Sequence, residues 1–144
     1  MKKDELRELF QETLDMPEQA RIELAQKSAH NITMAMLEDG YDEKQIVYAL
    51  AATFKLFCSA DRNVNDAEYN LWLRITGLNQ SPQEFFDMVN CGSDPKYVKA
   101  YTDLYKTFSA ETKSDLCVLG LCICANDNTM TASEQQLLAD LLES

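Results

Sequence analysis

The chain has 144 residues, 46% of them apolar, with 13 Lys or Arg against 24 Asp or Glu. Its formal net charge is −11 and its pI lies near 4.4. That length fits one domain able to bury about two-thirds of its unfolded surface, so no metal or disulfide is required for folding. The charge argues against duplex nucleic acid, whose phosphates demand basic side chains, and against docking on anionic membranes. The apolar content excludes disorder as the main state.

The acidity is not a tail. Residues 1–40 carry 5 basic and 9 acidic side chains, residues 41–93 carry 4 and 7, and residues 94–144 carry 4 and 8. Each third is mildly acidic, as solvated helix faces are. The start, Met1-Lys2-Lys3-Asp4-Glu5, has no apolar stretch behind it and does not read as a signal peptide. The apolar run from Leu116 to Ala125 is about half of what a membrane helix needs. A cytoplasmic protein is expected, and five Cys, an odd number set in apolar stretches, read as buried thiols.

Apolar spacing predicts helices throughout. Leu6, Leu9, Phe10 and Leu14 form one stripe of a short first helix. Pro17 suits the first position of a second helix, because its missing N–H would be unpaired there anyway. Gly40 supplies the left-handed stop. Asp42 with Gln45 has capping-box spacing and opens a helix through Ile46, Leu50, Phe54, Phe57 and Cys58. Asn65 with Glu68 repeats the box before a helix ending at Gly77. Ser81-Pro82-Gln83-Glu84 is a third box, with a short helix to about Cys91-Gly92. Asp94-Pro95 starts a helix with Tyr97, Tyr101, Leu104, Tyr105 and Phe108 at steps of three and four. Ser109 or Ser114 leads into a helix ending near Ala125, and Thr131 with Glu134 opens the last. No stretch alternates with a period of two, so no strand is expected. The expected fold is all-α: a single compact helical domain of about seven or eight helices with short loops.

The second half echoes the first at an offset of 66 residues: Leu50 with Leu116, Cys58 with Cys124, Asp61 with Asp127, Glu68 with Glu134 and Leu71 with Leu137. The chain accordingly divides into N-terminal helices (1–40), a first helix-loop-helix repeat (41–80), connecting helices (81–108) and a second repeat (109–144). Each repeat loop resembles the second half of an EF-hand. Asp61, Val64 and Glu68, and again Asp127, Met130 and Glu134, keep its spacing. The leading ligands are missing, since Phe57, Ser59, Ile123 and Ala125 stand in their places. One loop offers about half the six to eight oxygens calcium takes, so a true EF-hand is rejected. Two facing loops can still pool Asp61, Asn63, Glu68, Asp127, Asn128 and Glu134 around one shared divalent cation. The same residues have a structural reading. The two glutamates lie where a capping box returns a hydrogen bond, and the two aspartates can turn the chain on their own backbone.

At these residues the sequence resembles the TerB-like family, named for a tellurite-resistance protein and found also at the front of some J-domain co-chaperones. The family pattern is a helix ending in Ala-Asp-Gly, then a residue, an apolar residue, three more and a Glu, twice over. Ala60-Asp61, Val64 and Glu68 match the first copy, and Asp127, Met130 and Glu134 the second. The resemblance covers about residues 45–144. It implies an all-helical fold of two related halves, a part in tellurite or chemical-stress resistance, and divalent-cation binding by the acidic loops. The departures are Arg62 and Asn128 in place of the loop Gly, and Asn126 in place of Ala. Asn tolerates a left-handed backbone better than Arg does, and Arg62 sets a positive charge beside Asp61.

No other chemistry stands out. His30, the single histidine, lies near Ala29, Ile32 and Met34 and is expected to be partly buried, with no triad around it. Cys117, Cys122 and Cys124 lack zinc spacing, and Cys117 and Cys124 sit about 10 Å apart along one helix. Cys58 and Cys124 occupy equivalent places in the two repeats. There is no Gly-rich phosphate loop, Gly-x-Ser-x-Gly or Cys-x-x-Cys. No catalytic residue is assigned, and no enzyme is expected. The Met residues and the aromatic stripe at 97–108 fit core filling or a partner groove. The alternative to a cation-binding module is therefore an interaction or adaptor module for a protein partner, its loop carboxylates acting only as caps and turn formers.

Overall fold

The computed structural model describes residues 3–57, 66–90 and 95–143. Eight helices follow one another there: α1 (Lys3–Asp15), α2 (Glu18–Glu38), α3 (Glu43–Phe57), α4 (Asp66–Thr76), α5 (Pro82–Asn90), α6 (Pro95–Lys106), α7 (Ala110–Asn126) and α8 (Ala132–Glu143). Among the described residues there is no strand, and no helix is long and apolar enough to cross a membrane.

Local chemistry explains most of the boundaries. The Asp42–Gln45 box forms, with Gln45 N–H donating to Asp42 Oδ1 at 2.8 Å and Asp42 N–H to Gln45 Oε1 at 2.9 Å. Pro82 is the first residue of α5. Ser109, not Ser114, caps α7, its side chain accepting from the Thr112 N–H. Pro17 departs from expectation. It stands just outside α2 as the N-cap, with an extended ψ of 142°, so that Glu18 is the first helical residue. At the end of α2, Gly40 takes φ 92°, while Gly40 N–H reaches Leu37 O and Tyr41 N–H reaches Met36 O. Those two bonds satisfy carbonyls that the helix end would otherwise orphan.

Helix α7 is the hub. It packs on α1, α2, α3, α4 and α8, and its closest association is with α2. Its sequence is apolar on nearly every side, as a helix enclosed by others requires, and Leu116, Leu119, Leu121, Ile123 and Cys124 are all buried. Gly120 is needed for the approach of α3. A Cβ there would lie 3.1 Å from the Phe57 ring, tighter than ordinary packing allows. Also from α3, Phe54 packs edge-on against Trp72 of α4, with centroids 5.1 Å apart, and meets Phe85 of α5. Helix α6 is tied to α3 by the buried Tyr105 hydroxyl, which donates to Ala49 O and bonds Thr53 Oγ1 at 2.9 Å. Satisfying buried polar groups in this way avoids a cost of about 1–3 kcal/mol apiece.

Candidate functional site

The carboxylate loops come first. Asp61 and Asn63 of the expected ligand set lie outside the described residues, as do Cys58, Arg62, Val64 and Asn65. The second loop is described throughout. It begins where α7 stops: Asn128 N–H donates to Ala125 O and Thr129 N–H to Cys124 O, and Asn128 takes φ 57°. This is the same pair of bonds that ends α2 at Gly40, with Asn standing where Gly is usual. Asn is one of the few side-chain-bearing residues that visits this region at modest cost. Three residues on, Thr131 N–H donates to Glu134 Oε1 at 2.7 Å and Glu134 N–H donates to Thr131 Oγ1 at 3.2 Å. The box is complete, and one oxygen of Glu134 is engaged by its own helix start.

Burial sets the two glutamates apart. Glu68 is 0% exposed and Glu134 5% exposed, whereas Glu84 of the third box is exposed. Asp127 is half-buried at the end of α7, and Asn128 is exposed. Among the described residues no group of three or more His, Cys, Asp or Glu is placed to hold a metal.

Three cysteines, Cys117, Cys122 and Cys124, are buried free thiols. The Cys122 and Cys124 thiols lie 3.7 and 3.8 Å from the carbonyls of Arg21 and Phe57. Burial pushes both the Cys117 and Cys122 thiols up to about 11, so neither supplies a thiolate nucleophile at neutral pH.

His30 is exposed rather than partly buried. The stripe of α2 that faces the core runs through Ile22, Ala25, Ala29, Ile32 and Met36, and His30 falls off it. It lines instead a cleft of about 470 Å³ enclosed by α2, α3 and α4, whose walls include Thr33, Leu37, Ile46, Leu50 and Ile75. Leu37 and Met34, on the same helix, are 48% and 46% exposed. A second cleft of about 790 Å³ adjoins the first and shares Glu43, Val47 and Leu78 with it. It extends past the start of α3 to Glu84, Asp87 and Met88 of α5. The sequence carried one sign of this surface. Leu37, which lines the cleft, is an apolar residue out of register with the core stripe of α2.

No family model matches the chain, and no curated protein or solved structure is significantly similar to it.

Proposed function

We propose that this chain is a non-enzymatic, TerB-like module of the chemical-stress response that acts by binding a protein partner. The observation that carries the reading is the cleft between α2, α3 and α4, with exposed Leu37 at its edge and apolar Ile46, Leu50 and Ile75 inside it. Concave apolar surface beside exposed apolar side chains is where helical modules receive other chains. The loop carboxylates serve the fold: Glu134 closes a cap and Asp127 sits in the turn that ends α7. The TerB-like part of the reading is supported by the helical architecture and by the left-handed Asn128 in place of the loop Gly. The free thiols of Cys117, Cys122 and Cys124 suit a reducing, cytoplasmic setting.

A photocrosslinking residue placed at Leu37 in living cells tests the binding surface. A discrete adduct is expected at Leu37 and not at Gln136, an exposed position on α8. Equal capture at both positions, or at neither, contradicts the reading.

A second reading, a divalent cation shared weakly by the two loops, is favoured by the burial of Glu68 and Glu134, glutamates at corresponding places in the two proposed repeats. Calorimetry with Ca²⁺, Mg²⁺ and Zn²⁺ should then show heat, and metal should raise the melting temperature. A shift that persists in the Glu68→Gln, Glu134→Gln double variant removes these residues as ligands, because Gln can close a box but supplies no charge.

A further inference from the structure

We propose that the occupant of this groove is a basic amphipathic helix, an inference that rests on the protein-binding reading above. The two clefts share Glu43, Val47 and Leu78, so they form one trough from the exposed face of α2 across the start of α3 to α5. Its interior is apolar, with Val47 and Leu78 half-buried between Leu50 and Ile75 at one end and Met88 at the other. Its rim is acidic. Asp42, Glu43, Glu84 and Asp87 are exposed along the second stretch, and Lys44, whose ammonium lies 6.0 Å from the Tyr48 ring centroid, is the one Lys or Arg among the described lining residues.

The hydrogen bonds to Asp42 and Glu84 come from backbone N–H groups, and the bond to Asp87 comes from the Gln83 amide. Neutral donors orient these groups without neutralising them. An apolar floor walled by anions is complementary to a helix with an apolar stripe flanked by Lys or Arg. The α2 wall has a matching pattern: His30, Thr33 and Leu37 present positions i, i+3 and i+7 to the cleft, the spacing by which one helix packs along another. A second copy of this chain is a poor occupant. With a net charge of −11 it would bring like charge to the rim.

The test uses the full chain and fluorescent synthetic amphipathic helices that share one apolar face but carry basic, neutral or acidic polar faces. The basic peptide should bind at least tenfold more tightly than the neutral one, weaken as salt rises, and outcompete the acidic one entirely. Glu43→Lys with Asp87→Lys, both at exposed positions, should cut its affinity about tenfold or more. Leu37→Ser should weaken all peptides alike. If the neutral peptide binds as well as the basic one and Leu37→Ser weakens both, the basic partner is overturned while the groove reading stands. Basic-peptide binding indifferent to both sets of substitutions is general attraction to an acidic protein and overturns the proposal. Binding by no peptide of any charge overturns the proposal; crosslinking at Leu37 then decides separately whether the groove reading fails too.

Discussion

Helices α5 and α8 begin with the same reciprocal pair of hydrogen bonds and differ in what surrounds them. At α5, Ser81 and Glu84 exchange bonds of 3.2 Å each way on an exposed corner. At α8, the return bond from Thr131 N–H to Glu134 Oε1 is 2.7 Å, and the glutamate is buried. A charged acceptor withdrawn from water makes a stronger bond, and leaves a costlier vacancy if removed. The two sites therefore separate what a cap contributes at the surface from what it contributes in the interior.

The largest effect expected from burial is at two thiols of α7, Cys117 and Cys122. Folding raises Cys117 and Cys122 from about 9 to about 11 because burial penalises the thiolate. The native state then binds more protons than the unfolded chain between these values. The contribution is fully present below about pH 9 and is lost as pH rises toward 11. The loss amounts to about 2–3 kcal/mol for each thiol. Urea melts at pH 8 and 11 should show this fall, and a Cys117→Ala, Cys122→Ala variant should show a smaller one.

Next in size is Glu134→Ala, which strands the half-buried Thr131 N–H and should cost about 1–3 kcal/mol. Glu84→Ala leaves its donor to water and should cost well under 1 kcal/mol, since exposed donors re-solvate. Equal losses in denaturant melts would break the comparison. Asn128→Ala should cost about 1 kcal/mol, because alanine has no polar side chain to support the left-handed backbone at φ 57°. The smallest effect is expected for Glu84→Gln, which keeps the box closed and should leave the melting temperature almost unchanged.

These expectations depend on features of unequal visibility in the sequence. The boxes at Asp42, Ser81 and Thr131 and the stops at Gly40 and Gly77 were legible, because each links residues within one helical turn. The choice between Ser109 and Ser114 was left open, since both are good caps and apolar residues follow each; the structure begins α7 after Ser109. Pro17 read as a first helical residue and is an N-cap instead, a difference of one ψ angle. His30 was misplaced, because α2 carries apolar residues around much of its circumference and its buried stripe is weakly marked. Of the cleft, the sequence showed only Leu37, an apolar residue out of register with the core stripe of α2. The cleft is formed by α2, α3, α4 and α5, whose neighbourhood no local pattern encodes.

By itself the sequence determined that this chain is helical, where most of its helices start and stop, and that its surface is acidic. Those properties come from hydrogen bonds and apolar spacing over three or four residues, or from composition alone. Only the tertiary structure decided which carboxylates are interior and which face water. Glu68 and Glu134 are enclosed and Glu84 is open, though in the sequence all three stand three residues after an Asn, Thr or Ser. Enclosure depends on which other helices lie across that turn. It is likewise the meeting of α2, α3, α4 and α5 that sets four carboxylates along one apolar trough.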